Sequence, residues 1–153
     1  GDPVRVEGPL GVSHLRSQHD GPMLCIAGGS GLAPIQAIVH AAIAAGMSQP
    51  MHVYVGARAL HDLYRVAHFQ RLAQAHPNLT FTPVLSHDEQ QTTWRTGWVT
   101  DAVAEDHPDV QGWKAYVAGP PLMVEAAMRV LSAARLRAED LHADVFFTPE
   151  TAA

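Results

Sequence analysis

The sequence predicts an α/β protein: a three-layer, doubly wound, five-stranded parallel sheet in the order 3-2-1-4-5. Short apolar runs alternate with helix-period segments along the chain. The first run ends in glycines and opens into a helix pattern beside a proline. A length of 153 residues, 47% apolar and 16% charged, suits one ordinary globular domain.

Each element follows from a local signal. Met23 to Ala27 (MLCIA) is wholly apolar and ends in Gly28-Gly29, as a strand buried on both faces does. Ile35, Ile38, Val39, Ala42 and Ile43 then recur at i, i+3, i+4, i+7 and i+8, one face of a helix. Pro34 takes the expected first helical position and Gly46 the stop. A second strand, His52 to Val55, is closed by Gly56. Phe69, Leu72 and Ala73 form the inward stripe of a helix over 66–75, and His76-Pro77-Asn78 stops it. Leu79 to Leu85 is a third strand, in which Pro83 points to an edge or a bulge. Residues 86–97 are polar and end in glycine, which predicts a loop, with a short helix over 100–105. Trp113 to Ala118 is the fourth strand. Pro121 to Arg135 carries Val124, Ala127, Met128 and Leu131 on one helical stripe, and Leu141 to Phe146 is the last strand.

Residues 1–20 fall outside this rhythm. Val4-Arg5-Val6 alternates like a strand and Gly8-Pro9-Leu10-Gly11 is a turn. The chain therefore divides into residues 1–20, the end of a preceding domain plus a linker, the α/β domain over 21–148, and a tail over 149–153. It starts at Gly1 rather than Met and is expected to be part of a longer polypeptide.

Composition excludes several partners. Ten Lys plus Arg against 15 Asp plus Glu give a net charge of -5, and Lys114 is the sole lysine. Nucleic acid, which needs a clustered basic face, is not an expected partner. Nor is a membrane, because no run approaches the roughly 20 apolar residues of a span. The single cysteine, Cys25, forbids an internal disulfide or a Cys-ligated iron–sulfur cluster within the chain, and fits a reducing cytoplasm. Ten histidines raise a metal site, but no H-x-x-x-H or H-E-x-x-H pair occurs, so they read as scattered surface residues and no metal is expected. Trp94, Trp98 and Trp113 read as cover over the sheet edge and core.

The most informative segment is Gly28-Gly29-Ser30-Gly31-Leu32-Ala33-Pro34, between a strand and a helix. Glycines admit positive φ and close backbone approach, and the helix beyond turns its free N–H groups and dipole toward an anion. A diphosphate is the natural guest, and a ligand-free βα turn is the plain alternative. The segment is not the common dinucleotide fingerprint, which needs Gly where Pro34 stands. It is not a Walker loop or a nucleophile elbow either. A hydrolase using Ser30, Asp101 and His142 would have a usable chain order on the wrong elbow. The second segment is Ala118-Gly119-Pro120-Pro121-Leu122-Met123, again at a strand-to-helix turn. In the order 3-2-1-4-5 these two turns flank the switch point of the sheet, where a crevice opens. One can hold a diphosphate and the other a ring system.

These residues resemble a known family. Gly8-Pro9-Leu10-Gly11, Gly28 to Pro34, Tyr54-Val55-Gly56-Ala57-Arg58 with Asp62-Leu63-Tyr64, Val84-Leu85-Ser86, and Ala118 to Val124 occur in an order similar to the pyridine-nucleotide domain of the ferredoxin–NADP reductase superfamily. The closer resemblance is to the flavin reductases of bacterial aromatic-ring oxygenases and multicomponent monooxygenases, and it runs from about residue 1 to 148. It implies hydride transfer from NAD(P)H to FAD, and single electrons passed to a ferredoxin or an iron–sulfur domain. It implies that the Gly28, Gly29, Ser30, Gly31, Leu32, Pro34 segment holds the diphosphate, with Ser30 near nicotinamide and flavin. Gly119, Pro120 and Pro121 would line the nicotinamide side, supported by Met123. Tyr54, Gly56 and Arg58 would lie on the adenosine half, and the aromatic of Asp144-Val145-Phe146 would come close to the flavin, with Phe147 the adjacent alternative. Two departures matter. Ala118 stands where the family usually has Cys, and the flavin-binding barrel is absent, so FAD would be held by a domain upstream in the same polypeptide.

Charge bears on the choice of cofactor. A 2′-phosphate calls for Arg or Lys, but Ser86 is followed by His87-Asp88-Glu89. Asp88 would repel a phosphate and accept from ribose hydroxyls, which predicts NADH, while Arg58 keeps NADPH possible. A non-redox nucleotide-binding or regulatory module of the same fold is the alternative to a reductase.

Overall fold

The structure is a computed structural model and describes residues 1–5, 13–87 and 93–147. Its sheet comprises β1 (Met23–Gly28), β2 (Met51–Ala57), β3 (Leu79–Leu85), β4 (Arg95–Thr96), β5 (Lys114–Gly119) and β6 (Leu141–Val145). All pairings are parallel, in the order β4-β3-β2-β1-β5-β6. The five expected strands are present in the expected order. The sixth, β4, lies within the segment read as a loop, where the Gly97 amide donates to the Leu85 carbonyl at 2.9 Å. No periodicity announces a strand of two residues. Among the described residues β4 pairs with Val84 and Leu85 alone, which leaves β3 an open edge up to Pro83 and accounts for the proline.

The helices are α1 (Leu32–Ala44), α2 (Val66–Ala75), α3 (Val99–Asp106) and α4 (Pro121–Ala133). A single 3₁₀ turn, Gly29–Gly31, runs straight into α1, so Pro34 is its third residue rather than its first. Proline is tolerated there because the first four amides of a helix have no intrahelical acceptor. Gly46, at φ +69, closes α1 with its amide on the Ile43 carbonyl and that of Met47 on Ala42, a Schellman motif. The end of α4 has the same pattern with Arg135 at φ +68, so that helix stops two residues before its expected end.

Alternation along the strands sorts side chains into two cores. Met23, Cys25 and Ala27 of β1 join Met51, Val53 and Val55 of β2 under α1 and α2. Leu24 and Ile26 join Tyr54, Val84 and Val117 under α3 and α4. Burial on both faces explains why β1 reads as an unbroken apolar run. The Cys25 thiol is wholly enclosed, and burial pushes its pKa up to about 12. Residues 1–5 form no strand, and Val6 and the turn at Gly8–Gly11 lie outside the described residues, as does the tail. Leu15 packs against the first core, and the Arg16 amide donates to the Tyr116 hydroxyl at 2.8 Å. Among the described residues, no helix is long and apolar enough to cross a membrane.

Candidate functional site: a cleft at the strand C-termini

β1, β2, β3 and β5 all end at one rim of the sheet, where α1, α3 and α4 begin. A cleft of about 1270 Å³ opens there. Gly28, Gly29 and Ser30 line it from one side, Pro120, Leu122 and Met123 from another, and Gly56, Arg58, Val84, Ser86 and Trp98 along its length. Three helix N-termini thus border one cavity, which favours an anionic guest. The two turns predicted to oppose one another do so in contact. A Cβ on Gly28 would lie 2.5 Å from the Met123 sulfur, and one on Gly31 only 2.0 Å from the Ala118 carbonyl oxygen. Gly31 has an ordinary φ of −61°. Glycine is required at that position for close approach rather than for conformation. At Gly29 and Gly119 the requirement is conformational, with φ of +54° and +155°.

Of the expected binding residues, Gly28, Gly29, Ser30, Gly56, Arg58, Ser86, Pro120 and Met123 line the cleft. Gly31, Leu32, Pro34, Gly119 and Pro121 do not line it and instead build the two turns behind it. Leu32 is buried in the first core. Asp88 lies outside the described residues. Phe146 is half-buried against the first core, and its amide donates to the Gly119 carbonyl at 3.0 Å, while the Phe147 ring is largely exposed.

Tyr54, expected beside Gly56 and Arg58, does not line the cleft. Strand alternation turns it under α3, where its hydroxyl donates to Asp106 Oδ2 at 2.6 Å and lies 3.0 Å from His107 Nε2. Burial, and then Asp106, push that hydroxyl well above the usual tyrosine range. Burial alone would raise the Asp106 carboxyl, but hydrogen bonds from Tyr54 and Arg95 outweigh it and hold the group below the usual carboxylate range.

Several lining residues were given no part in a nucleotide site by the sequence. Trp98, read as cover, is 62% exposed and forms a wall of the cleft beside His87, ring against ring at 6.4 Å. Tyr64 and Leu60 come from the β2–α2 connection, and Thr100 and Asp101 from the first turn of α3. A glycine followed by tryptophan at a helix start, past a strand end, is the one signal that marks Trp98. Asp62 accepts from the Ala59 amide at 3.2 Å and closes the local turn. The histidines are not all scattered. His40 and His68 bring their Nε2 atoms within 2.9 Å, and His52 packs against His107 and Trp113. No group of three metal-ligating side chains occurs among the described residues. The hydrolase arrangement has no support either: Ser30 and Asp101 line the cleft, but His142 stacks on Tyr116 under the other end of the sheet.

The sequence profile of the oxidoreductase NAD-binding domain matches residues 25–129. The ferredoxin–NAD(P)(+) reductase component of the naphthalene 1,2-dioxygenase/salicylate 5-hydroxylase systems of a Ralstonia species is 42% identical over 147 residues, 96% of this chain and 45% of that protein. The reductase subunit of an Amycolatopsis aromatic O-demethylase is 40% identical over 95% of the chain and 44% of its own length. The chain thus spans less than half the length of these relatives. Among solved structures, an Amycolatopsis cytochrome P450 reductase superposes with a TM-score of 0.85 at 39% identity, over 91% of this chain and 42% of that one. The ferredoxin reductase in carbazole 1,9a-dioxygenase gives 0.80 at 27% identity, over 92% and 42%. The chain belongs to the oxidoreductase NAD-binding domain family, in the branch represented by reductase components of oxygenase systems.

Proposed function

We propose that this chain is the NADH-binding domain of a flavoprotein reductase that passes electrons to an iron–sulfur acceptor, a ferredoxin or an iron–sulfur domain, of an oxygenase system. One observation carries the reading: two glycine-bearing turns, Gly28–Ser30 and Gly119–Met123, meet edge to edge at the mouth of a single cleft of about 1270 Å³. That volume exceeds an ordinary small-ligand pocket of about 300–1,000 Å³ and suits a dinucleotide. The walls fit it as well. No carboxylate stands on either turn, and the apolar surfaces of Trp98, Leu122 and Met123 offer flat contact for rings.

The nucleotide supplies a hydride and the flavin accepts it; the chain supplies binding and orientation. Gly29 and Ser30 present the start of α1 to the diphosphate, with Ser30 toward the nicotinamide. Gly119, Pro120 and Pro121 back the nicotinamide side, and Met123 packs beneath it. Gly56, Arg58 and Ser86 take the adenosine half, with Asp88 accepting from its ribose hydroxyls. Phe146 is assigned a place close to the flavin, a reading supported by its amide, which ties that chain end to the Gly119 turn. FAD is assigned to an upstream domain of the same polypeptide, a reading supported by relatives more than twice as long. A cytoplasmic setting is supported by the single buried thiol. A non-redox module is not favoured, because the relatives are reductase components.

The intact protein should carry a flavin spectrum, reduce a dye with NADH, and show a higher kcat/KM for NADH than for NADPH. A tenfold advantage for NADPH reverses the cofactor preference. Binding of NADH without flavin absorbance or dye reduction refutes the reductase reading.

A further inference from the structure

Tyr64, at the rim of the cleft, is a polar side chain to which the dinucleotide reading gives no role. Its hydroxyl donates to the carbonyl oxygen of Gly29 at 2.9 Å, across 35 positions of sequence. The glycines of the loop are not held alike. Gly28 and Gly31 are wedged against Met123 and the Ala118–Gly119 backbone. Gly29 stands at φ +54 with open space where a Cβ would be. Packing therefore does not fix the Gly29–Ser30 peptide. Hydrogen bonds to its carbonyl do, from the Leu32 amide and from Tyr64.

The neighbouring residue anchors the connection to α1. Arg65 is held at φ +62, a backbone conformation that side chains disfavour and that persists only where the surroundings impose it. Its Nε donates to Gln36 Oε1 on α1 at 3.1 Å. Together Tyr64 and Arg65 strap the β2–α2 connection onto the glycine turn and onto the helix that follows it.

We propose that Tyr64 is a positioning residue for the diphosphate: by taking up the Gly29 carbonyl, it holds the Gly29–Ser30 peptide so that the opposite edge, the Ser30 N–H, meets the anion. In a trans peptide C=O and N–H point to opposite sides. A flip of this one plane would replace a donor by a carbonyl oxygen facing two phosphates. A left-handed glycine makes the flip easy, and the hydroxyl opposes it. Tyr64 is 46% exposed and Gly29 is exposed as well, so water can donate to the Gly29 carbonyl in place of the hydroxyl and the bond adds little to global stability. The inference rests on the dinucleotide reading of the cleft.

Tyr64→Phe in the intact protein removes the hydroxyl and keeps the ring. The readouts are the thermal midpoint, kcat and KM for NADH, and inhibition by ADP-ribose, which carries the diphosphate, and by adenosine, which does not. The midpoint, kcat and the adenosine constant should stay within experimental scatter. KM for NADH and the ADP-ribose constant should both rise about three- to tenfold, the range of one lost hydrogen bond. Unchanged ADP-ribose inhibition overturns the proposal, and so does an equal loss for ADP-ribose and adenosine, which would make Tyr64 a mere wall. A fall in kcat with KM unchanged overturns it too. Wild-type protein that neither oxidises NADH nor responds to ADP-ribose overturns the dinucleotide reading itself, a result that the variant cannot mimic.

Discussion

Replacing Gly31 by alanine adds one methyl group where none fits. The backbone there, φ −61° and ψ −13°, is one that alanine prefers, so the cost must come from space. The new Cβ would lie 2.0 Å from the Ala118 carbonyl oxygen, 2.3 Å from its carbon and 2.7 Å from the Gly119 nitrogen. All three are backbone atoms of β5, a strand paired on both sides, and none can rotate away. Restoring ordinary contact at 3.4 Å means parting the two turns by about 1.4 Å. Overpacking of this kind costs about 1–3 kcal/mol, and misplacing bound groups by about 1 Å costs up to about 10²-fold in rate. Gly29→Ala is the control: no atom lies within 4 Å, so only the left-handed conformation is penalised, by about 1–2 kcal/mol. Urea denaturation of the intact protein should give Gly31→Ala a loss in the 1–3 kcal/mol range. Its kcat/KM for NADH should fall at least tenfold, and further than in the control. A Gly31→Ala protein with wild-type midpoint and kcat/KM within twofold would refute the direct contact between the turns.

Trp98→Ala should raise KM for NADH about tenfold, the order of one lost ring contact, and leave the thermal midpoint unchanged because the side chain is mostly exposed. A lowered midpoint with unchanged KM would return Trp98 to a covering role. Stability should fall as the medium turns mildly acidic. Burial holds His52 and His107 below the usual imidazole range, with a further push on His52 from His107 and an opposing pull from Asp106 on both. Below about pH 6.5 the unfolded chain takes up protons that the folded one resists. The stability these groups contribute is therefore present above that pH and lost as pH falls through it. A urea midpoint that stays flat or rises between pH 7.5 and 5.5 would contradict this.

Most of the fold was legible because its signals are local. MLCIA reads as a doubly buried strand since both faces of β1 are covered, and α2 runs over the residues its stripe marks. The glycine segment announced a tight strand-to-helix turn at the rim of the cleft. Its composition did not say which glycine serves conformation and which serves proximity, because Gly31 is needed only on account of Ala118, a residue 87 positions away. Tyr54 misled for a similar reason: it shares a face of β2 with Gly56, but it lies two residues further from the open strand end, where α3 covers its ring. Tyr64 stood in a family motif without a role of its own, and Trp98 was marked only by its place after Gly97, since a wall of a cleft is defined by what stands opposite.

By itself the sequence determined the succession of strands and helices, the places where the backbone must turn tightly, and the absence of a second cysteine to bridge. The hydrophobic period and the glycine and proline positions are properties of a few adjacent residues. Only the tertiary structure decided which turns meet, which aromatic stands free at the rim, and which hydroxyl holds the Gly29 carbonyl. Those contacts join residues from 35 to 95 positions apart, and no local window encodes the distance between their atoms.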